Sequence, residues 1–210
     1  MGIVEILGVA GSLSLLAGWR LYLTILATGV AMRFGWLPLP EHLQALQVLA
    51  SPWILGVAAI GTLAEFFADK VAWVDSIWDG IHSIVRPLGG ALLALALVDS
   101  SDPAWQVTAF LLGGGGALLS HGAKATTRAV VNVSPEPYSN AVVSTGEDVA
   151  TGGLLALAIA FPPLAIAIAV LLAIAAVIVI IALRRLLRNI KATLKRALGD
   201  APAGPSLPPA

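Results

Sequence analysis

The chain contains no cysteine and very little charge, and each shortage narrows what the protein can be. Because none of its 210 residues is a cysteine, disulfides, thiolate metal sites and cysteine nucleophiles are excluded. Charged residues make up only 11% of the chain, whereas ordinary soluble domains contain about 25%. So little polar surface cannot cover a water-soluble globule, and we expect lipid to cover part of this protein. The length allows one compact membrane domain, which we place at residues 1–198.

Apolar runs predict an all-α, polytopic integral membrane protein with about five to six membrane segments, several of them short, broken or re-entrant. Residues 164–183 reach the length of about 20 apolar residues that a crossing helix needs. Residues 51–67 predict a second crossing, which a Ser-Pro pair opens as a helix start. The runs at residues 88–98 and 152–161 would span only about half a bilayer. The run at residues 104–119 is also short, and its consecutive glycines favour close helix packing or a break.

The first apolar run, residues 3–32, is long enough to cross a bilayer but carries Arg20 near its middle. An arginine in hydrocarbon is costly unless it is paired or hydrated. The run is either one long tilted helix whose Arg20 faces protein, or two half-length helices bent near residues 17–18. Arg20 either pairs with an intramembrane acid, such as Glu65 or Glu147, or contacts an anion or a lipid phosphate.

Seven ionisable side chains fall between residues 65 and 86, with apolar runs on both sides. Four of them recur at i, i+4, i+7 and i+11, which places them on one face of a helix. We therefore predict an amphipathic helix over residues 71–85 that ends at Pro87. The seven residues are Glu65, Asp69, Lys70, Asp75, Asp79, His82 and Arg86.

Three interpretations of this acidic face stay open at the level of sequence. It is a solvated or ion-paired face, a proton or ion pathway, or a divalent metal site in which His82 completes the ligands of a transition metal. Lys70 and Arg86 could neutralise the carboxylates in simple ion pairs. Because the spacing matches no specific metal signature, we predict neither a metal nor a cofactor.

A second polar stretch, residues 120–151, is the least apolar part of the core. Prolines at positions 135 and 137 preclude an uninterrupted helix there. The stretch is either a plain extramembrane loop or a re-entrant polar element that faces a cavity. Its candidate site residues are His121, Lys124, Arg128, Asn132, Asn140, Glu147 and Asp148. The two polar inserts also suggest a weak internal repeat, residues 51–98 and 104–161.

Half of the chain's twelve Lys and Arg residues fall within residues 184–196. They predict a C-terminal basic amphipathic helix over residues 184–198, followed by a disordered tail at residues 199–210. The positive-inside rule places this end in the cytoplasm, where the basic helix would contact anionic lipid headgroups. The chain carries no nucleic-acid signature, and we expect a homodimer if one chain cannot enclose a pathway.

Short motifs in both polar stretches resemble one known family. AGWRLYL at residues 17–23, EFFADK at 65–70, DSIWD at 75–79 and VRP at 85–87 are similar to its first motif block, and SPEP at 134–137, SN at 139–140 and ED at 147–148 to its second. The family is a bacterial membrane-protein family called domain of unknown function 4126, and the resemblance covers residues 5–185. It implies a multi-pass protein of the bacterial inner membrane and carries no activity.

These patterns favour a small transporter, channel or lipid translocator, with a polar cavity lined by residues of 65–86 and 120–148 and with Arg20 near it. The alternative is a non-transporting membrane scaffold or assembly partner whose polar segments are ordinary loops. A metal-dependent enzyme that uses Asp69, Asp75 and Asp79 is the third interpretation, but no motif supplies a nucleophile and a base together. We therefore predict that the protein is not an enzyme.

Overall fold

The computed structural model describes residues 3–36, 47–96, 103–132 and 137–199, and every regular element within these ranges is helical. The all-α prediction is therefore confirmed for that part of the chain. Its α-helices are α1 (Ile3–Trp19), α2 (Leu21–Arg33), α3 (Pro52–Ala68), α4 (Ala72–Ala96), α5 (Pro103–Val131), α6 (Pro137–Ala160) and α7 (Pro162–Gly199). Two spans are long and apolar enough to cross a membrane, Tyr138–Ala160 and Pro163–Ile190, and three apolar helices are shorter, Gly8–Trp19, Leu21–Arg33 and Pro52–Ala68.

The N-terminal apolar run forms two helices that meet at Arg20, which confirms the two-helix alternative. The break lies just beyond the predicted bend at residues 17–18. Arg20 leaves helical geometry, with φ −139° and ψ 83°. The Thr24 hydroxyl and amide donate to the Arg20 carbonyl at 2.7 and 3.0 Å, so α2 begins with this carbonyl satisfied. The break frees the Arg20 side chain from the direction that a continuous helix would impose.

α3 begins where the Ser-Pro pair predicts. The Ser51 side chain accepts a hydrogen bond from the Ile54 amide at 3.3 Å. Pro52 occupies the first helical position, where its missing N–H leaves no bond unmade. The helix ends just before Asp69, which caps it, and Glu65 lies in its last turn. The two acids are therefore one turn apart on the same side of the helix.

Pro87 does not end its helix, which corrects the prediction from sequence. α4 is 25 residues long and contains Pro87 in its interior. The run that begins at residue 88 therefore belongs to this helix and is not a separate half-length segment. A proline removes one helical hydrogen bond but is tolerated where neighbouring helices hold the backbone. Here the Ser14 hydroxyl of α1 donates to the Gly90 carbonyl at 3.1 Å, and α5 packs against the same turn.

Glycines bring α4 and α5 together as a closely packed antiparallel pair. A methyl group at Gly90 would collide with the Ala117 side chain and the Gly113 carbonyl, and one at Gly113 would collide with Ala94. Only residues without a Cβ allow the two backbones to approach this far. Gly113 therefore serves close packing, and α5 continues through residues 113–116, so the alternative of a helix break is wrong.

The described part of the polar stretch at residues 120–151 is helical except for Asn132, so the plain loop is wrong for most of its length, and the re-entrant element that faces a cavity stays a prediction. α5 continues to Val131, and α6 starts at Pro137. Asn132 follows α5, and residues 133–136 lie outside the described residues. Polarity suggested a loop because the partners that neutralise these side chains lie on other helices.

The apolar core and the charged residues occupy different ends of the helix bundle. Val9 and Leu13 of α1 pack with Leu155 of α6 and Ile168 of α7. α1 is central, because it contacts α4, α5, α6 and α7. Buried charges collect instead at the α1–α2 break, the end of α3, the N-terminal halves of α4 and α6, and the C-terminal half of α5.

The predicted crossing at residues 164–183 and the predicted basic helix at residues 184–198 form one continuous helix, α7. The predicted disordered tail lies outside the described residues, except for Gly199, which ends α7. Residues 37–46 and 97–102 also lie outside them. The internal repeat would pair α3 and α4 with α5 and α6, and it stays a prediction.

Candidate functional site

Charged side chains occupy the interior of this protein, the reverse of their usual place in soluble domains. Four cationic side chains are at most 1% exposed, and five acidic ones are at most 7% exposed. The cations are Arg20, Arg86, Lys124 and Arg128, and the acids are Glu65, Asp69, Asp75, Asp79 and Glu147. Each is a candidate from the sequence analysis, and the structure brings them together.

Asp69 is the centre of the ion pairs, and the end of α3 places it there. Its Oδ2 accepts a hydrogen bond from Arg20 and lies 3.1 Å from Lys124 Nζ and 3.6 Å from Arg128 Nη2. Three cations therefore converge on one buried carboxylate, where their attraction is stronger than at a wet surface. The predicted pair of Arg20 with Glu65 is wrong, because the guanidinium reaches Asp69, one turn further along the chain.

The break before α2 also directs Arg20 toward α6. Its Nη2 donates to the Ser144 carbonyl at 3.1 Å, and it pairs with Asp148 at 3.1 Å and with Glu147 at 3.5 Å. Arg128 donates to the same Glu147 oxygen at 2.5 Å. The predicted pair of Arg20 with Glu147 is confirmed, and the two guanidinium groups together hold the start of α6.

Arg86 organises the other half of the cluster. It donates to Glu65 Oε1 through Nη2 and to Asp79 Oδ1 through Nη1, the latter at 3.0 Å. Lys124 joins the halves, because its Nζ lies 3.7 Å from Glu65, 3.9 Å from Asp79 and 3.1 Å from Asp69. We call the ion-paired residues the charge network: Arg20, Glu65, Asp69, Asp79, Arg86, Lys124, Arg128, Glu147 and Asp148.

His121 contacts the charge network as a neutral ring. An arginine donates to one of its nitrogens, and only a nitrogen without a proton can accept that hydrogen bond. Arg86 donates to its Nδ1 at 2.6 Å, so Nε2 carries the hydrogen and donates to the Ser83 hydroxyl at 3.1 Å. Ser83 in turn donates to the Asp79 carbonyl at 2.9 Å. Sequence analysis missed Ser83, since it lies off the acidic face of α4 and only the position of α5 gives it a polar partner.

His82 lies beside the charge network but bonds to aromatic residues. Its Nδ1 donates to the Trp78 carbonyl at 2.8 Å, and its Nε2 accepts from the Tyr22 hydroxyl at 3.1 Å. The ring also stacks on Trp78, with centroids 4.4 Å apart. Sequence analysis missed the role of Tyr22, because an aromatic residue inside an apolar run gives no sign of a polar partner on another helix.

Two asparagines extend the charge network at the junction of α5 and α6. Asn132, just after α5, donates to Asp75 Oδ2 at 2.8 Å. Asn140, in the first turn of α6, accepts a hydrogen bond from Arg128. These amides link the ends of both helices to the side chains of Asp75 and Arg128.

Lys70 is a predicted site residue that lies outside the charge network. Its ammonium donates to the Phe66 carbonyl at 3.2 Å and lies 3.1 Å from the centre of the Phe66 ring, which is a cation–π contact. Lys70 stands in the turn between α3 and α4, where desolvation by burial lowers the pKa of its ammonium.

The acidic face of α4 is buried, and its Asp79 and Arg86 form an ion pair, so the ion-paired form of the first interpretation is confirmed and the solvated form is wrong. Asp75, Asp79, His82 and Arg86 are all at most 6% exposed. Arginine and lysine nitrogens contact the carboxylates of the charge network. Within the described ranges, no group of three Asp, Glu or His side chains is placed to hold a metal ion.

The outer surface around the charge network is apolar. Ile77, Ile81 and Ile84 of α4 are 57–69% exposed, and the buried acidic face lies on the opposite side of the same helix. On α3, Phe67 is exposed two residues before the buried Asp69. Charges inside and large apolar side chains outside are the opposite of the distribution that water favours.

Comparison with known families gives one match. A family model described as a domain of unknown function (DUF4126) matches residues 7–182, a range that contains every member of the charge network. Comparison with curated proteins and with solved structures gives no match.

Proposed function

The chain belongs to the family described as a domain of unknown function (DUF4126), and we propose that it is a multi-pass membrane protein that moves a small ion across the bilayer through its charge network. The membrane location is supported by the inverted distribution of side chains. Exposed isoleucines cover the outside of α4, while ionisable side chains fill its inner face. In water this arrangement would leave large apolar areas uncovered, whereas in lipid those areas are solvated and the charges are sheltered.

Transport is supported above all by one observation: ions in the charge network share partners. Lys124 lies within 3.9 Å of Glu65, Asp69 and Asp79, and each of these acids also contacts an arginine. Buried ion pairs contribute little net stability compared with apolar residues of the same volume, so stability alone does not account for so many of them. Shared partners can be exchanged in small steps, which is what a passing ion requires.

The chemistry of the charge network suits small ionic substrates. Its cations can attract an inorganic anion or the phosphate of a lipid headgroup, and its carboxylates can attract a proton or a monovalent cation. Ion pairs no longer than 3.9 Å join its members, which fits a closed state. An open state would separate some of these pairs and hydrate the interior that the sequence analysis describes as a polar cavity.

The test is ion flux in liposomes that contain the purified full chain. Lys124→Gln removes the shared cation, and Lys70→Gln makes the same substitution outside the charge network. We expect flux of one ion through the wild-type protein, a loss of at least about tenfold in Lys124→Gln, equal to about 1.4 kcal/mol in the barrier, and little change in Lys70→Gln. Absence of flux for protons, sodium, potassium, chloride, phosphate and labelled lipid would refute the proposal.

A structural role is the second candidate, because direct ion pairs fill the centre of the charge network. As a non-transporting scaffold or assembly partner, the protein would use these pairs to fix the relative positions of its helices. In that case Lys124→Gln would lower the stability of the protein in detergent while the wild-type protein conducts nothing.

We also propose a location in the bacterial inner membrane with the C-terminus in the cytoplasm. Arg184, Arg185 and Arg188 lie in the last part of α7, where anionic headgroups would attract them. Reporter fusions after residue 210 test this orientation, and activity of a periplasmic reporter there would contradict it. Crosslinking in native membranes tests whether the chain forms a homodimer.

A further inference from the structure

Asp75 differs from the other buried acids of the protein because no cation pairs with it in the described part of the chain. Its side chain is 0% exposed. Its Oδ2 accepts a hydrogen bond from the neutral amide of Asn132 at 2.8 Å. Its Oδ1 is buried, and no donor in the described part of the chain bonds to it. An ionised carboxylate in this position would carry a full charge without the partners that normally compensate for burial.

The groups around Asp75 make a negative charge on its carboxyl more costly still. Four groups face the Asp75 carboxyl. Two are acids: Asp69 at the end of α3, which is within hydrogen-bond reach, and Asp79 on α4 itself. The others are the Asn132 amide and the more distant Arg128 of α5. The charge network already contains five acids and four cations. Arg128 is engaged by Glu147 and Asp69, so it does not form an ion pair with Asp75.

We propose that Asp75 is the proton-binding site of the charge network: it is a neutral carboxylic acid whose hydroxyl donates to the Asp69 carboxylate. Two buried carboxyl groups that face each other are stable when they share one proton. In this arrangement Oδ1 of Asp75 carries the hydrogen and donates it to Asp69, so it is no longer without a partner. Oδ2 stays an acceptor, which its hydrogen bond from Asn132 requires.

Release of the proton breaks the O–H bond of Asp75, transfers the proton to water and leaves one negative charge on Asp75. The new carboxylate then competes with Asp69 for Arg128, which loosens the pair between Arg128 and Asp69. Proton uptake reverses both changes. Use of this proton to drive transport rests on the proposed function, whereas the protonation of Asp75 does not.

Infrared spectroscopy of the full chain in liposomes tests the site without an activity measurement. At neutral pH we expect a carbonyl band of a buried protonated carboxylic acid that is lost in Asp75→Asn. Asp79→Asn is the matched control, one turn along the same helix, and should keep the band because Asp79 pairs with Arg86. Absence of the band from the wild-type protein, or its persistence in Asp75→Asn, would overturn the proposal.

Labelling of the wild-type protein with carbon-13 aspartate keeps the test valid if a variant does not fold. The band should shift on labelling because the protonated group is an aspartate, and an unshifted band would assign the proton to a glutamate and overturn the proposal. Flux measurements separate the two proposals. A band without any ion flux supports the proton site and refutes transport, whereas flux without the band supports transport and refutes the proton site.

Discussion

Removal of Arg86 should destabilise the protein strongly, and removal of its partner at the same time should restore part of the loss. The guanidinium is 0% exposed and donates to Glu65, to Asp79 at 3.0 Å and to His121 at 2.6 Å. Breaking a buried ion pair on one side costs about 3–5 kcal/mol, because the remaining charge stays buried. Lys124 lies within 3.9 Å of both acids and can take over part of the role, so we expect Arg86→Met to cost about 3 kcal/mol.

A double-mutant cycle separates the energy of the ion pair between Arg86 and Glu65 from the effect of changing the side-chain volumes. Glu65→Met alone leaves Arg86 with Asp79 as its remaining acid, and Arg86→Met with Glu65→Met removes both charges together. We expect the double variant to be more stable than the sum of the single changes predicts, with a coupling of about 1–3 kcal/mol. Arg33→Met is the control, since this exposed arginine makes one hydrogen bond, to the Ala50 carbonyl at 3.2 Å, and should cost no more than about 1 kcal/mol.

The assay is the free energy of unfolding in mixed micelles, followed by the fluorescence of the six tryptophans. If Arg86→Met costs less than about 1 kcal/mol, the pairs at Arg86 do not stabilise the fold in the way that their burial indicates. Simple additivity of the two methionine substitutions would likewise contradict the contact between Arg86 and Glu65.

Two further predictions concern the helix packing and the apolar exterior. Gly113→Ala should destabilise the protein by about 1–3 kcal/mol, because its methyl group meets Ala94 and the Gly90 carbonyl. Gly115→Ala, where nothing lies within 4 Å, should be neutral or stabilising by up to about 1 kcal/mol, and equal thermal stability of the two variants would argue against the close α4–α5 packing. Ile81→Cys, in this naturally cysteine-free chain, should resist a water-soluble maleimide in intact membranes although the residue is 58% exposed. Rapid labelling there would place that face in water and contradict the membrane location.

Local spacing predicted which side chains share a face. The recurrence of Asp75, Asp79, His82 and Arg86 every three or four residues follows from helix geometry alone, and the structure buries all four together. The costly position of Arg20 in an apolar run indicated either a partner or a bend, and the structure has both. These inferences succeeded because they needed only the geometry of one segment.

Inferences that depended on distant contacts succeeded less often. Pro87 ends a helix by local rules, yet neighbours on α1 and α5 hold α4 continuous through it. Asp69 lies 49 positions from Arg20 in the chain, so nothing in the local pattern singled it out over Glu65 as the partner. Residues 120–148 suggested a loop for the same reason, since their charges cancel only after α3, α4 and α6 have assembled around α5.

The antiparallel pairing of α4 with α5 has a consequence for how the protein is made. In the proposed bilayer, α4 carries Asp79 and Arg86 of the charge network, and α5 carries a lysine and an arginine. Each charge near the centre of a helix raises the cost of insertion by about 2.5–3.5 kcal/mol, so neither helix is favoured to enter lipid alone. Insertion of the two as a hairpin brings Arg86 and Asp79 beside Lys124 before either helix meets hydrocarbon. Biogenesis would therefore depend on the insertion machinery retaining α4 until α5 has been synthesised.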